Sequence, residues 1–424
     1  MKTLSRNLLA IAALFAVFSG GAIGQPPEKD TQASTTALTA EIKAAVLERM
    51  GTIITKNAFA EGVDFSKWPD YLAASKDAVD KAETPEAFVG EINRIFQKFG
   101  SSHIVLSSPR AATQRKEQKM VGLGVRIEFI PEGGRIMDIF PGGPADKAKL
   151  EIGDIILEAN GKRPESPADI GGPEGSKLHL KLKKANGSSK EQDVIREAFS
   201  TVIPETLTWP KSEVALLKIP TFDVGYNAQN VKDLMGKAAN AKCLILDLRS
   251  NGGGAVMNLL QLAGMLLPDN SAMGTFINRQ TVTKYMAATG KDGKDISDIA
   301  SWTEVKLRPF KGTVQPFTGK LVVLINGGTG SASEMMAASL KEIAGAKVIG
   351  TKSAGAVLAS LMAPLPNGYV LQFPFNDYVT IKGVRLEGNG VKPDVEAATP
   401  RSKNDPDKGV EEALKWYATN KKAA

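Results

Sequence analysis

The stretch LVVLINGGTGSASEMMAASL, residues 321–340, decides the fold class because it joins a buried strand to a helix through a glycine turn. The unbroken apolar run LVVLI is typical of a strand that is covered on both faces of a parallel sheet. After the turn GGTG, apolar residues recur three and four apart, which predicts a helix. Ser331 stands where the turn ends and the helix begins, so it either caps the helix or serves as a nucleophile.

Further apolar runs extend this single unit to a sheet. They are VALLKI, CLILDL and AKVIG, at residues 214–219, 243–248 and 346–350. Helical patterns such as NAQNVKDLMGKAAN lie between them, and alternating strands and helices predict an α/β sheet. Ligands of open α/β sheets bind beyond the carboxyl ends of the strands. We therefore expect the turns RSNGGG (249–254) and GGTGS (327–331) at the functional edge of the sheet.

Two regions with different residue patterns precede this sheet. In residues 38–100, apolar residues stand three and four apart, and Thr84 before Pro85 is a typical helix start, so we predict a helical N-terminal region. From about Val121 to Arg196, short alternating runs such as GLGVRIEFI and KLHLKLKK predict a compact β-rich module. One short helix is expected within it, at GPADKAKL.

The composition restricts the classes of function. With 42% apolar and 23% charged residues the chain is foldable, and 424 residues suggest two or three domains. The net charge of +7 comes from basic residues interleaved with acidic ones, so we expect no nucleic-acid partner. No cluster of histidine, cysteine and carboxylate has ligand spacing, and we expect neither metal nor cofactor. Cys243 is expected to be a small buried residue without chemistry.

The first residues indicate export. MKTLSRNLLAIAALFAVFSGGAIG, residues 1–24, combines Lys2 and Arg6 with a short apolar run and small residues, which is typical of a secretory signal peptide. We expect cleavage near Gly24 and a secreted or periplasmic protein without a stable membrane span. A retained N-terminal anchor is the alternative.

Ser331 is a candidate nucleophile because N–H groups without an intrahelical partner point toward a helix start. Such donors stabilise an oxyanion, and we expect the amides of Ala332, Gly252 and Gly253 to form the oxyanion hole. The structural alternative is a capping box, since Glu334 follows Ser331 by three residues.

A serine nucleophile needs a base, and the chain has two histidines. His179 lies in the alternating KLHLKLKK, where we expect one more side chain on a strand face. His103 lies in FGSSHIVL, just after a helix, at a loop position from which an imidazole reaches another domain. A purely structural histidine is the alternative there.

Three motifs in order resemble the core of the carboxyl-terminal processing and tricorn-type serine peptidases. They are LILDLRSNGGG, LVVLINGGTGSASEMMAASLKEIAGAKVIGTKSAGA and LEGNGVKPDV. The resemblance implies a ClpP/crotonase-like α/β catalytic domain, a helical N-terminal region and, often, an inserted PDZ domain. It also implies that Ser331 forms an acyl-enzyme with a polypeptide substrate; an activating or adaptor protein is a further candidate partner.

The family uses two kinds of base. In the processing-protease branch a lysine follows the next strand, but the aligned residue here is Ala356; Lys352 lies nearby, which leaves a modified Ser–Lys dyad as an alternative. In the tricorn-like branch the base is a histidine preceded by serine and helped by a glutamate near the C-terminus. Ser102, His103 and Glu387 match that set in order. The chain is therefore more similar to the histidine-using branch, in which His103 is the base and the other two residues orient it.

The β-rich module resembles a PDZ domain. Its GLGV loop matches the loop whose amides hold the terminal carboxylate of a peptide, which adds as a strand beside GVRIEFI. The resemblance implies that this module binds or gates the substrate C-terminus through Gly122, Leu123, Gly124 and Val125.

The predicted organisation is a signal peptide (1–24), a polar leader (25–36), a helical N-terminal domain (37–118), a PDZ domain (119–198) and a serine peptidase domain (199–424).

A different class of function is the alternative to catalysis. Relatives of this fold include retinoid-binding proteins, so a ligand- or peptide-binding protein that has lost catalysis is that alternative.

Overall fold

Strands and helices alternate along residues 38–311, 316–402 and 404–421, which are the residues that the computed structural model describes. The strands are β1 (Val105–Ser107), β2 (Lys119–Gly122), β3 (Val125–Ile130), β4 (Gly133–Ile139), β5 (Ile155–Ala159), β6 (Lys177–Lys183), β7 (Ser189–Ile195), β8 (Glu197–Ser200), β9 (Thr206–Lys211), β10 (Val214–Lys218), β11 (Cys243–Asp247), β12 (Gly274–Ile277), β13 (Lys320–Ile325), β14 (Lys347–Gly350), β15 (Leu358–Pro364), β16 (Val370–Thr380) and β17 (Val395–Glu396). The helices are α1 (Ala40–Asn57), α2 (Trp68–Ala73), α3 (Lys76–Lys81), α4 (Pro85–Phe96), α5 (Pro109–Glu117), α6 (Pro144–Lys147), α7 (Pro167–Ile170), α8 (Ala228–Ala238), α9 (Val256–Ala263), α10 (Arg279–Thr289), α11 (Ile296–Trp302), α12 (Ala332–Ala344) and α13 (Lys408–Asn420).

The apolar runs of the sequence form a six-stranded sheet in the order β17-β14-β13-β11-β10-β9. All neighbouring strands are parallel except β9 and β10. Every residue of β11 is buried, as expected for a strand that is covered on both faces. The prediction of an α/β sheet from these runs is confirmed.

The two faces of this sheet pack against different helices. Leu244 and Leu246 of β11 lie in the larger core, which also contains the buried faces of α8, α9 and α12. Cys243 and Ile245 point to the opposite face, where they lie in a smaller core with Tyr417 of α13. No sequence pattern described above predicted helix α13.

The N-terminal helices share a core with strands from the far end of the chain. Strands β1, β12 and β15 each pair with β16 in an antiparallel sheet, and Leu106 of β1 lies opposite Leu371. Phe88 and Ile92 of α4 are buried in the same core as Leu371 and Phe373. The predicted helices are confirmed, and the Thr84 hydroxyl caps α4. The expectation that residues 37–118 form a domain of their own needs correction, because β15 and β16 complete their core.

The β-rich module is a five-stranded antiparallel sheet in the order β3-β4-β5-β6-β7. Its separate core includes Ile136, Ile156 and Leu180, and α6 is the short helix that GPADKAKL predicts. Strands β2 and β8 pair at the two ends of the insertion. Strand β3 pairs only with β4 among the described residues, so one edge of the sheet is open.

The N-terminal predictions concern residues that the structure does not describe. The proposed signal peptide (1–24) and polar leader (25–36) lie outside the described residues. Among the residues that are described, none of the helices combines the length and the apolar character needed to cross a bilayer. Export therefore stays a prediction.

Candidate active site

Ser331 lies at the carboxyl end of the central sheet, between β13 and α12. Its backbone has φ 52° and ψ −120°, a conformation that a non-glycine residue rarely adopts and that lies outside the extended region usual for a helix cap. Its side chain makes no capping hydrogen bond. The first N–H groups of the helix donate to the carbonyls of Gly330 and Ser331 instead, at 3.0 and 2.9 Å. The capping box that we considered is nevertheless present at this helix start, where the Ser331 N–H donates to Glu334 Oε2 at 3.0 Å.

His103 reaches the Ser331 hydroxyl from the N-terminal region. Its Nε2 lies 3.1 Å from Ser331 Oγ, a hydrogen-bond distance between residues 228 positions apart. His103 also has a positive φ of 59°. Three residues later, the Leu106 N–H donates to Asn93 Oδ1 of α4 at 2.8 Å, and Asn93 Nδ2 donates to the Leu106 carbonyl at 3.0 Å. The loop that carries the imidazole is thus fixed to the core of the N-terminal helices.

Glu387 and Ser102 complete a chain of hydrogen bonds behind the imidazole. Ser102 Oγ lies 2.7 Å from His103 Nδ1 and donates to Glu387 Oε2 at 2.9 Å. The Ser102 N–H donates to Glu387 Oε1 at 3.0 Å, and the Val357 N–H donates to Oε2 at 2.7 Å. The structure brings together the four residues that we predicted as the catalytic set.

The environment of His103 favours the neutral imidazole. Burial lowers the pKa of His103 below its ordinary value of 6.5, while the negative charge of Glu387 acts in the opposite direction. A neutral ring that donates from Nδ1 to Ser102 presents a lone pair at Nε2 to the Ser331 hydroxyl. At neutral pH the ring is therefore in the form that accepts a proton.

The glycine turn after β11 lies directly against Ser331. A methyl group on Gly253, which has φ 95°, would lie 2.6 Å from Ser331 Cβ and 2.8 Å from the Ala332 nitrogen. The Gly253 N–H, however, donates to the buried side chain of Asn251 at 2.9 Å. The predicted role of Gly253 as an oxyanion donor therefore conflicts with this geometry. No hydrogen bond within the described chain occupies the N–H of Gly252, Gly254 or Ala332, and these amides are available.

Sequence reasoning missed two groups that shape the site. Asn251 holds the glycine turn, because its side chain accepts from Gly253 and donates to the Ile219 carbonyl at 2.9 Å. The Ala356 carbonyl accepts the Ser331 N–H at 2.9 Å. An asparagine in the turn after a buried strand, directly before three glycines, was the available signal for the first. The second is a backbone contact, and no side-chain pattern reports it.

Three other predicted residues lie away from this cluster. Lys352 is exposed, and no hydrogen bond or ion pair joins it to Ser331 in the described chain. His179 is exposed on β6, where its Nδ1 lies 2.8 Å from Asp193, which confirms the strand-face prediction. Burial raises the pKa of the Cys243 thiol to about 12, so the thiol is protonated and inert at neutral pH.

An apolar cleft of about 340 Å³ opens beside the Ser331 hydroxyl. Ser331, Ala332 and Gly254 form its polar end. Strand β15 forms one side of it, from Leu358 to Met362. The rest of the wall is apolar and includes Phe276, Leu307, Met335 and Phe375. The cleft can accept an apolar side chain next to the nucleophile.

The predicted peptide loop lies at the open edge of the β-rich module. Gly122 ends β2, Leu123 is buried in the module core, Gly124 has φ 79°, and Val125 begins β3. No hydrogen bond within the described residues occupies the N–H of Leu123 or Gly124. Arg126 on β3 reaches the catalytic unit, since its Nη1 lies 3.5 Å from the Ser250 carbonyl. The open edge therefore borders the turn that faces Ser331.

A polar cleft of about 350 Å³ separates the two units at this contact. Asp138 and Arg126 line it from the β-rich module, and Asp247, Arg249 and Asp407 line it from the catalytic unit. No group of three or more histidine, cysteine, aspartate or glutamate side chains among the described residues is arranged to hold a metal ion.

A hydroxyl, an imidazole and a carboxylate linked in this way on an α/β sheet define the class of serine hydrolases. Residues 213–397 match the sequence profile of peptidase family S41, and residues 135–184 match that of the PDZ domain. The chain therefore carries a peptidase family S41 domain with a PDZ domain, as the motifs imply.

Known proteins of this kind are similar over most of the chain. A probable CtpA-like serine protease of Staphylococcus aureus (strain bovine RF122 / ET3-1) is 24% identical over 339 residues, which are 78% of this chain and 62% of the relative. The tail-specific protease of Haemophilus influenzae is 26% identical over 323 residues, 69% of this chain and 43% of the relative. The chain thus spans less than two thirds of the length of these relatives.

Two solved structures share the fold. The photosystem II D1 C-terminal processing protease superposes with a TM-score of 0.53 at 19% identity, covering 85% of this chain and 94% of its own. Mature CPAF superposes with a TM-score of 0.55 at 14% identity, covering 91% of this chain and 99% of its own. The predicted fold class is confirmed by these similarities.

Proposed function

We propose that this protein is an exported serine endopeptidase that cleaves polypeptides through an acyl-enzyme at Ser331. The observation that carries the proposal is the 3.1 Å contact between His103 Nε2 and Ser331 Oγ. Similarity to a tail-specific protease and to CtpA-like proteases supports a polypeptide substrate.

The chemistry follows from the order of the hydrogen bonds. Ser331 Oγ attacks the scissile carbonyl carbon while His103 Nε2 takes the hydroxyl proton, and the ring later gives this proton to the leaving amine. The Ser102 oxygen accepts a hydrogen bond from His103 Nδ1–H and its O–H donates a hydrogen bond to Glu387 Oε2, so the carboxylate stabilises the imidazolium through one hydroxyl. Water then hydrolyses the acyl-enzyme by the same steps in reverse.

We assign the oxyanion hole to the N–H of Ala332 and one N–H of the glycine turn. Ala332 follows the nucleophile directly, and its amide has no partner within the described chain. In the turn, Gly254 lines the cleft with Ser331. Gly252 stays a candidate because its amide is also without a partner there. Two donors of this kind stabilise the charge that develops on the substrate oxygen.

The PDZ domain binds the C-terminal segment of the substrate in this proposal. Its support is the open edge of β3 and the unoccupied amides of Leu123 and Gly124, where a terminal carboxylate and an added strand would bond. The contact between Arg126 and Ser250 supports delivery of the captured chain to the active site. Substrates that differ only in a free or an amidated C-terminus test this part: the amide is expected to raise KM about tenfold with kcat unchanged.

The decisive experiment uses a fluorophosphonate reporter and an unfolded polypeptide. We expect wild-type protein to be labelled and to cleave, and we expect Ser331→Ala to do neither while keeping the wild-type melting temperature. A wild-type protein that is not labelled but still binds peptide would support the binding-protein alternative instead.

Export rests on residues 1–24 alone. Expression of the full-length gene should give a periplasmic or secreted chain whose N-terminal residue lies near position 25. Detection of the full-length chain in the membrane fraction would favour the retained anchor.

A further inference from the structure

Glu334 is a fully buried carboxylate that the proposed chemistry does not use. It lies on the first turn of α12, three residues after the nucleophile, and none of its surface is exposed. Burying a charge without an opposite charge is unfavourable unless hydrogen bonds replace the lost water. Burial raises the pKa of Glu334 above its ordinary value, and the hydrogen bonds to its oxygens act in the opposite direction. Its retention in the core of the site therefore calls for a role.

Four donors saturate the two oxygens of this carboxylate. Oε1 accepts the Ser353 hydroxyl at 2.6 Å and the Gly355 N–H at 2.8 Å. Oε2 accepts the N–H groups of Ser331 and Ala356, each at 3.0 Å. The Ser353 oxygen also accepts the Val391 N–H at 2.6 Å. The three N–H groups can only donate, so both Glu334 oxygens serve as acceptors.

These donors belong to both parts of the catalytic set. One of them is the backbone of the nucleophile itself. The other three lie in the turn 353–356, whose Ala356 carbonyl accepts the Ser331 N–H at 2.9 Å. The next residue, Val357, donates its N–H to Glu387 at 2.7 Å. A single carboxylate thus connects Ser331 with the turn that anchors the residue behind His103.

The conformation of Ser331 explains why such an anchor is needed. A non-glycine residue with φ 52° and ψ −120° is strained and persists only where its surroundings determine it. Both acceptors of the Ser331 N–H, Glu334 Oε2 and the Ala356 carbonyl, belong to this network. Without the network, relaxation of the backbone would swing the hydroxyl away from His103.

We propose, on the basis of the proposed function, that Glu334 is a positioning residue: its carboxylate holds Ser331 in the strained conformation and fixes the distance between nucleophile and base. It touches neither substrate nor the reacting atoms. Its contribution is therefore expected in kcat and in the reactivity of the serine, with substrate binding unaffected.

Glu334→Gln is the direct test, because the amide has nearly the same shape but its NH₂ group faces at least one N–H donor in either orientation. Measured on full-length protein with an unfolded polypeptide, kcat is expected to fall about 100-fold, the effect of a small displacement of reacting groups. KM should stay within about threefold of wild type. The rate of fluorophosphonate labelling should fall with kcat.

Glu342→Gln is the matched control on the same helix. Glu342 is a half-buried carboxylate that accepts the Thr380 hydroxyl at 2.9 Å, but it contacts neither Ser331 nor the turn 353–356. Its substitution is expected to leave kcat and labelling at the wild-type level. If kcat falls in both variants, and in each as far as its melting temperature falls, then Glu334 only stabilises α12. That result would overturn the positioning role.

A second variant keeps the test decisive if Glu334→Gln does not fold. Ser353→Ala removes one of the four donors and leaves the carboxylate in place, so kcat is expected to fall about tenfold at unchanged KM. A wild-type kcat in Ser353→Ala, or in folded Glu334→Gln, overturns the positioning role alone. A wild-type protein that neither cleaves nor is labelled overturns the proposed function, and the positioning role with it.

Discussion

The two sides of the active site are held by contacts of very different range. Ser331 is fixed by residues that follow it within 25 positions, since its N–H bonds Glu334 and Ala356, and it starts a helix that packs on the central sheet. His103 depends on Ser102 and Glu387, which are 285 residues apart, and on the pairing of β1 with β16. The nucleophile side is therefore encoded locally, whereas the base side exists only when distant parts of the chain have met.

Removal of His103 removes the base, which depends on long-range contacts, and should have the largest effect on activity. We expect His103→Ala to lower kcat/KM by about 10⁴-fold, because no other base reaches Ser331 in the described chain. His179→Ala, on the exposed face of β6, is the control and should keep wild-type kinetics. Normal cleavage by His103→Ala would refute this base, and loss of cleavage in Lys352→Ala would establish the lysine dyad in its place.

Gly253→Ala disturbs the nucleophile side of the active site and should have the second-largest effect on activity. The added methyl would lie 2.6 Å from Ser331 Cβ and would force the turn away from the nucleophile. We expect kcat to fall between about 10² and 10³-fold, as for loss of an oxyanion donor. Gly236→Ala has open space around it in α8 and should keep full activity while gaining up to about 1 kcal/mol of stability. Similar kinetics of the two variants would contradict the close approach.

Glu387→Gln sharpens the comparison, because it changes a charge without removing a hydrogen-bonding side chain. We expect kcat to fall about 10- to 100-fold as the imidazolium loses its stabilising charge. The negative charge of Glu387 raises the pKa of His103 against the larger effect of burial. Activity requires neutral His103 and is lost as the pH falls through that pKa, so the acid limb of kcat/KM should move to lower pH in the variant.

The pH profile separates this electrostatic role from simple damage to the fold. Glu304→Gln, an exposed carboxylate far from the imidazole in sequence, should leave the acid limb unchanged. A Glu387→Gln profile that keeps its acid limb, or moves it to higher pH, would show that the charge does not act on His103.

Leu371→Ala should have the smallest effect on chemistry and the clearest effect on stability. Leu371 is completely buried in the core that joins the N-terminal helices to β16, so we expect a loss of about 2–5 kcal/mol in the free energy of unfolding. Leu178→Ala, equally buried in the PDZ core, is the control. On heating, the rate of fluorophosphonate labelling should fall at a lower temperature in Leu371→Ala than in Leu178→Ala, because only the core that contains Leu371 supports the His103 loop. Loss of labelling at the same temperature in both variants would argue against this.

The local side of the molecule was the more predictable from sequence. The apolar runs, the glycine turns and the helix after Ser331 each carry a periodic or turn signal within a few residues, and the parallel sheet follows from them. The base side has no such signal. His103, Ser102 and Glu387 became candidates through the resemblance, and their proximity depends on pairing between segments that lie far apart in the chain.

The errors follow the same division. We expected a separate helical N-terminal domain, because nothing within residues 37–118 indicates that side chains of β15 and β16 complete its core. We assigned an oxyanion role to Gly253, because the direction of an amide in a glycine turn depends on the Asn251 side chain, which spacing does not report. The capping box of Ser331 and Glu334 is present, but the spacing does not report that the Glu334 oxygens also accept hydrogen bonds from the turn 353–356.

The pairing of β1 with β16 has a consequence for the order in which the protein is made. The segment with the histidine leaves the ribosome first, and the strand and glutamate that fix it emerge nearly three hundred residues later. Until then the proposed protease has no assembled base. We therefore expect a nascent chain to be unable to cleave polypeptides until residue 387 has been made and β16 has paired with β1.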